Sequence, residues 1–184
     1  GSQIATNCAE FTLYDCTIKF NEKKVQARGI EIMKRCSSSF VNCNFLNCNI
    51  SDYGGGIHIV EDTATNRTET LTLDNCLFDK CDSSNGCAIQ GAISCNPTIR
   101  KCTISNSNKG HFILSIFFNS VPTVPRFVII DDCTFEGNYF TGGADGSSDA
   151  GGIGLWIAYH KFLSAETLSL SFEDCKFISN SCAK

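Results

Sequence analysis

The chain lacks long apolar runs and runs of basic residues. No segment approaches the ~18 uninterrupted apolar residues that a membrane-spanning helix needs, and no basic run exceeds two residues. The net charge of −4 has the wrong sign for neutralising a phosphate backbone. We therefore expect no nucleic-acid partner, and membrane contact only through other parts of a larger parent protein.

Proline and charge are also scarce. Only three prolines occur and 18% of the residues are charged, whereas Ser, Thr, Asn and Gly are abundant. These residues supply the dihedral angles and local hydrogen bonds that turns need, so the composition indicates a turn-rich β protein. Gly1-Ser2 resembles the remnant of a cleaved tag, so the missing signal peptide says nothing about the natural precursor.

Cysteine, by contrast, is abundant and odd in number. Thirteen cysteines leave at least one thiol unpaired within the chain. Two interpretations stay open: a secreted protein with disulfides, or a reduced protein in which cysteine is a small core residue. Two glycosylation sequons, with Asn49 and Asn66 as acceptors, favour secretion. We expect an extracellular or cell-surface protein.

A short pattern recurs six times. A cysteine is followed two positions later by Phe or Ile, and three positions after that by Asn, Cys or Ser. Self-similarity at a period of tens of residues predicts a solenoid. The spacing varies from 26 to 42 residues, which suits a β-solenoid whose turns hold insertions. The repeat cysteines are Cys16, Cys43, Cys76, Cys102, Cys133 and Cys175.

Each repeat predicts three strands and three corners. An alternating strand precedes each repeat cysteine, and Asp or Asn stands immediately before five of the six, where it favours a sharp corner. The cysteine and the Phe or Ile after it share a strand face and should point inward as a ladder. Glycines then lead into a third strand, as in Gly54–Ile59, Gly91–Ser94 and Gly151–Ile157.

We therefore predict an all-β protein, a right-handed parallel β-helix of about five to six coils. Residues 1–184 should form one β-helix domain, an excised segment of a larger surface protein. The alternative is a β-sandwich, which shares the alternation but gives no reason for one corner sequence to occur six times.

The repeats resemble those of a known family. Two segments match the FxxN motif of that family, Phe135–Asn138 and Phe177–Asn180. Three segments partly match its second motif, GGA followed by an aliphatic residue: Gly55–Ile57, Gly91–Ile93 and Gly151–Ile153. These motifs are similar to the polymorphic outer-membrane-protein repeats of chlamydial and parasitic-protist surface proteins. The resemblance implies an extracellular ectodomain that adheres to host cells.

Catalysis, cofactors and metals are not expected. Many β-helices cut polysaccharides, and Asp131-Asp132 is the obvious candidate pair of carboxylates. The pair occupies the corner position before a repeat cysteine, however, so we interpret it as turn-forming. The acidic residues of 142–150 do not match the spacing of a calcium loop.

Candidate ligand-binding residues lie on the glycine-led strands. Alternation places Trp156 and His58 outward, with Gln90 on the same sheet and Tyr159 nearby. An outward tryptophan can stack on a sugar or anchor a protein partner, although cover by an adjacent insertion is an equal alternative. Loops 60–69, 117–126 and 139–151 are further candidate partner surfaces.

Two cysteines invite a disulfide. Cys48 and Cys81 replace the final Asn of the FxxN pattern on neighbouring coils. Stacked equivalents lie near the Cα separation that a disulfide accepts, so we predict a Cys48–Cys81 bridge.

Our functional hypothesis is a non-enzymatic ectodomain that recognises a host-cell protein or glycan in adhesion. The alternatives are a pectinolytic type of polysaccharide lyase or hydrolase, and a purely structural spacer.

Overall fold

A computed structural model describes residues 4–6, 10–19, 29–32, 36–50, 55–60, 69–83, 86–92, 96–108, 112–118, 125–140, 155–159 and 168–182. Within these ranges all regular structure is β. The strands, in chain order, are β1 (Ile4–Thr6), β2 (Glu10–Tyr14), β3 (Thr17–Lys19), β4 (Ile30–Ile32), β5 (Ser37–Val41), β6 (Asn44–Leu46), β7 (Ile57–Ile59), β8 (Thr70–Asp74), β9 (Leu77–Asp79), β10 (Gly86–Ala92), β11 (Asn96–Arg100), β12 (Thr103–Ser105), β13 (Phe112–Phe118), β14 (Arg126–Asp131), β15 (Thr134–Glu136), β16 (Tyr139–Phe140), β17 (Leu155–Tyr159), β18 (Leu168–Glu173), β19 (Lys176–Ile178) and β20 (Ser181–Cys182).

The strands stack into three parallel six-stranded sheets. The first sheet has the order β1-β4-β7-β10-β13-β17, the second β2-β5-β8-β11-β14-β18 and the third β3-β6-β9-β12-β15-β19. Each successive triplet of strands is therefore one coil of a right-handed parallel β-helix, and coils 1 to 6 follow chain order. The short strands β16 and β20 pair beside coils 5 and 6. The predicted fold class and number of coils are confirmed.

A left-handed residue turns the chain at each cysteine corner, the two residues between the second and third strands of a coil. The first corner residue has φ between 48° and 54° in all six coils. Asn and Asp enter this region far more readily than most residues, which explains their preference here. The set is Asp15, Asn42, Asn75, Lys101, Asp132 and Asp174.

Backbone hydrogen bonds continue through this corner from coil to coil. The Asn42 N–H donates to the Asp74 carbonyl at 3.0 Å, and the Leu77 N–H donates to the Cys43 carbonyl at 2.9 Å. Buried backbone groups are thus paired at the corner as well as in the strands, which is the condition for packing an irregular segment against a core.

Like residues stack in register to form the core. Phe45 pairs with Phe78 along the third sheet, and their rings lie parallel with centroids 4.6 Å apart. That spacing is close to the ~4.8 Å separation of neighbouring strands. The full inward column is Ile18, Phe45, Phe78, Ile104, Phe135 and Phe177.

Glycine makes room for this aromatic column. A Cβ on Gly56, just before β7, would lie 2.6 Å from Cδ1 of Phe78, so only glycine lets the first-sheet backbone approach the ring.

The prediction that Gly91 leads into a strand is wrong. Gly91 lies near the end of β10, opposite Ile59, where an added Cβ would come within 2.5 Å of the Ile59 Cβ. It serves a close approach between strands rather than a bend.

The inner face of coil 6 is open to solvent. Phe177 is 50% exposed, although it belongs to a column that is fully buried in the middle coils, and Leu170 and Phe172 are 48% and 39% exposed. Among the residues described, no helix is long and apolar enough to cross a membrane.

Phe78→Ala should lower the free energy of unfolding by about 3–5 kcal/mol, because it leaves a cavity beneath the stacked ring of Phe45. Urea denaturation followed by circular dichroism measures the change. Leu77→Ala is the matched control: its side chain points outward on the same strand and is half-buried, so its cost should stay below about 1 kcal/mol. Equal losses would contradict the inward column.

Candidate functional site

Strand register brings three of the four predicted ligand-binding residues into one column of the first sheet. His58 pairs with Gln90, Gln90 with Ser115, and Ser115 with Trp156. The column therefore runs across coils 3 to 6 at one position of the sheet, with rungs ~4.8 Å apart. We call it the His58–Trp156 column.

Tyr159 does not belong to this column. It lies three residues beyond Trp156 on β17 and pairs with Phe118. Successive residues of a strand alternate between faces, so an odd separation puts the two positions on different faces. The predicted grouping of Tyr159 with Trp156 is therefore not supported by the register. The candidate surfaces 60–69, 117–126 and 139–151 lie mostly outside the described residues.

His58 lies beside an acidic residue that the sequence analysis missed. Its imidazole Nδ1 is 3.7 Å from Oε1 of Glu31, and the two side chains are only 17% and 18% exposed. Glu31 is the register partner of His58 on β4. The signal was present in the sequence, because Gly29-Ile30-Glu31-Ile32 and Gly56-Ile57-His58-Ile59 share one spacing.

The Asp131-Asp132 pair is built into a corner. Asp132 is the left-handed corner residue of coil 5, with φ of 48°. Asp131 ends β14, and its Oδ2 lies 3.6 Å from Nε of Arg100 on the neighbouring strand. Both carboxylates thus have positions dictated by the fold, as the turn-forming interpretation requires.

No group of three or more His, Cys, Asp or Glu side chains within the described ranges is arranged to hold a metal ion. Residues 142–150, weighed above as a calcium loop, lie outside those ranges.

The six repeat cysteines form an inward ladder, as predicted. Those of coils 2 to 5 are buried, while Cys16 and Cys175 at the two ends are half-buried. The thiols donate to backbone carbonyls; that of Cys133, for example, reaches the Asp131 carbonyl at 3.2 Å and the Ile99 carbonyl at 3.5 Å. The ladder is thus a row of S–H donors within an apolar core. Its thiols form hydrogen bonds in addition to packing as small apolar groups.

Burial raises the pKa of the Cys43 and Cys175 thiols above its ordinary value of 9.0. Hydrogen bonds to Cys133 and Cys76, together with burial, raise the pKa of Cys102. The thiolate is the nucleophilic form, so these three cysteines stay protonated and unreactive at neutral pH.

A second inward ladder follows the third sheet, at the last position of the FxxN pattern. Asn180 Nδ2 donates to the Phe135 carbonyl at 2.8 Å, and Asn138 Nδ2 donates to the Ile104 carbonyl at 2.9 Å. Cys81 uses its thiol in the same way, reaching the Phe45 carbonyl at 3.4 Å. Each of these side chains therefore reaches back to the Phe or Ile of the preceding coil.

The predicted Cys48–Cys81 disulfide is wrong for this structure. Both residues are buried and both are free cysteines. They occupy equivalent positions on neighbouring coils, but their thiols are directed to carbonyls: Cys81 to Phe45, as above, and Cys48 to Leu46 at 3.9 Å. The interaction that the motif makes at this position is a hydrogen bond to the backbone, and the thiols make it without a covalent link.

The structure describes only one of the two predicted glycosylation acceptors. Asn49 is exposed and forms an isolated parallel bridge with Asp82. Asn66 lies outside the described residues.

These corners, ladders and parallel sheets define a β-solenoid with an in-register core. The family model described as a right handed beta helix region matches residues 5–183. The chain therefore belongs to the right-handed β-helix family. No curated protein and no solved structure matches it significantly.

Cys81→Asn should be tolerated and should raise the free energy of unfolding by up to about 1 kcal/mol. The new amide can donate to the Phe45 carbonyl, as Asn138 and Asn180 do to theirs. Its oxygen can accept from the Cys48 N–H, as Asn138 Oδ1 accepts from Ser107 at 3.1 Å. Urea denaturation measures the change.

Cys102→Asn is the matched control for that substitution. In the corner ladder the thiols already donate to backbone carbonyls, so the same amide buries an oxygen that has no donor. This should cost about 1–3 kcal/mol. If both variants lose the same stability, the two ladders are not chemically distinct.

The contribution of Cys43 and Cys175 to stability should fall as the pH rises above about 9. The pKa values of Cys43 and Cys175 are higher in the folded chain than in the unfolded chain, so their contribution is complete below pH 9 and is lost as the pH rises through the folded values. Urea midpoints at pH 7, 9 and 10.5, under reducing conditions, test this. Cys43→Ala should show a shallower decline than the unsubstituted chain, and an equally steep one would contradict the assignment.

Proposed function

We propose that this chain is part of a non-enzymatic ectodomain that is secreted or displayed on a cell surface and recognises a glycan or a host-cell protein in adhesion. Recognition takes place on the outer surface of the solenoid, and the stacked coils act as a rigid support. The proposal needs no cofactor and no catalytic step.

The observation that carries the proposal is the His58–Trp156 column. Residues from coils 3, 4 and 6 that are far apart in sequence share one register position on the first sheet. A row of polar residues with a tryptophan is suited to a sugar, because aromatic rings stack on sugar faces while polar groups bond to hydroxyls. A rigid sheet also holds such groups at little entropic cost to binding.

The role of the FxxN asparagines supports a polymorphic outer-membrane-protein-like ectodomain. Asn138 and Asn180 each bond one coil to the preceding one through a side-chain amide, which is buried in Asn138 and half-buried in Asn180. The asparagine of this motif therefore joins neighbouring coils by a hydrogen bond. An elongated ectodomain needs such a bond at every repeat.

Two features are compatible with an extracellular location. Asn49 is exposed, as a glycosylation acceptor must be. The thiols of coils 2 to 5 are buried and directed to carbonyls, so an oxidising environment has little access to them.

The enzymatic alternative gains no specific support from the carboxylates. Asp131 and Asp132, the best candidates for acid–base work, are engaged with Arg100 and with the corner.

Binding of the chain to a glycan array and to host-cell surfaces tests the proposal. Trp156→Ala should weaken specific binding by about thirtyfold or more, the ~2 kcal/mol typical of an aromatic hot spot. Tyr14→Ala is the control, because Tyr14 is a 64% exposed aromatic residue on the second sheet and its loss should leave binding unchanged.

Three results count against the proposal. Equal effects of both substitutions would mean that the His58–Trp156 column is not the recognition surface. Absence of any binding would favour a spacer, and release of reducing or unsaturated sugars from polyuronides would favour an enzyme.

A further inference from the structure

A polar groove lies on the outside of the cysteine corner, away from the first sheet. Its volume is about 410 Å³, and it spans coils 2 to 4. One wall is the corner column and the other is the outward column of the third sheet. The first wall carries Asn42, Asn75 and Lys101, and the second wall carries Asn44, Leu77 and Thr103.

The corner wall is a polarised ladder of side-chain amides. Asn75 Nδ2 donates to Asn42 Oδ1 at 2.8 Å, and Asn42 Nδ2 donates to Asp15 Oδ1 at 2.9 Å. Each amide is thereby held in one orientation. The ladder ends at Asn75, whose Oδ1 accepts no hydrogen bond from the described residues.

Lys101 stands where the next amide of the ladder would be. It has the same left-handed backbone, with φ of 52°, but its ammonium group forms no ion pair with any described residue. Its neighbour Arg100, by contrast, is engaged with Asp131. Among the described residues, the groove therefore has one positive charge that forms no ion pair, at the end of a row of fixed amides.

The opposite wall supplies hydroxyl, amide and apolar groups. Thr103 offers a donor and an acceptor. Asn44 donates to Thr17 Oγ1 at 3.4 Å, which leaves its Oδ1 as a further acceptor. Leu77 is the one aliphatic side chain among the groups named above.

We propose that this groove binds one carboxylate-bearing sugar residue of a glycan. Hydroxyl groups both donate and accept, as amides do, so a polyol can satisfy the fixed amides. The Lys101 ammonium pairs with the sugar carboxylate, and Leu77 contacts the C–H face of the ring.

Two other ligand classes fit less well. A divalent cation is repelled by the ammonium group, and no residue that lines the groove has a carboxylate to bind it. A nucleic acid needs several cations to neutralise its phosphates, whereas this groove has one on a chain of net charge −4. The inference rests on glycan recognition as the proposed function but places it on a second surface.

Lys101 substitutions isolate the charge without disturbing the corner. Lys101→Asn introduces the residue that stands at this position in coils 2 and 3 and that tolerates positive φ. Its melting temperature should be no lower than that of the unsubstituted chain. Lys101→Arg keeps the charge.

The test is a titration with sialylated and uronate-containing oligosaccharides and with their carboxyl-reduced counterparts. At least one acidic series should bind about tenfold more tightly than its reduced form, a factor that corresponds to ~1.4 kcal/mol. Which series does so tells sialate from uronate. Lys101→Asn should abolish the preference, Lys101→Arg and Trp156→Ala should retain it, and added salt should weaken only the acidic ligands.

The outcomes separate this inference from the function proposed above. Glycan binding without preference for the acid, or a preference that survives Lys101→Asn, overturns the inference alone. Absence of all glycan binding overturns the inference, and the proposed function is overturned as well only if host-cell surfaces are not bound either.

Discussion

In-register parallel pairing between coils is the constraint on which the rest of the structure depends. Because neighbouring strands lie ~4.8 Å apart, every residue of one coil must stack on an equivalent residue of the next. The parallel rings of Phe135 and Phe177, with centroids 4.8 Å apart, show how closely side chains follow this repeat. A residue that suits its column is stabilised from two sides, and one that does not disturbs both neighbours. The long insertions lie between strands, and β10 has one extra residue relative to β13 between Gly86 and Ile89.

The inward and outward columns of stacked residues have different roles. Inward columns hold aromatic, aliphatic and thiol groups, and the buried thiols and amides donate to carbonyls of their own or the preceding coil. Outward columns are free to carry chemistry. Two of them carry the proposals made above: the His58–Trp156 column on the first sheet, and the amide ladder that ends at Lys101. Both depend on residues from several coils, so neither is visible within one repeat.

Cysteine has two distinct roles in this protein. At the corner, a small buried thiol follows a left-handed residue and donates to the carbonyl two residues earlier, as Cys102 does to Arg100 at 3.1 Å. At the end of the FxxN pattern, Cys81 substitutes for an asparagine and keeps its bond to the preceding coil. Neither role needs a disulfide. The nine cysteines whose side chains the structure describes are all free, so their contribution to stability comes from burial and hydrogen bonding.

The coil can be predicted from the sequence alone, because alternation, corner residues and stacking cysteines are local signals repeated six times. The sequence placed Cys76 and Phe78 inward and Asp132 at a corner correctly. Which residues of neighbouring coils meet is known only from the folded chain, because the register depends on insertions of unequal length. The folded structure put Glu31 beside His58, placed Gly91 near the end of its strand and directed the thiols of Cys48 and Cys81 to carbonyls. The groove beside Lys101 was also invisible in sequence, because it forms between two columns rather than within a motif.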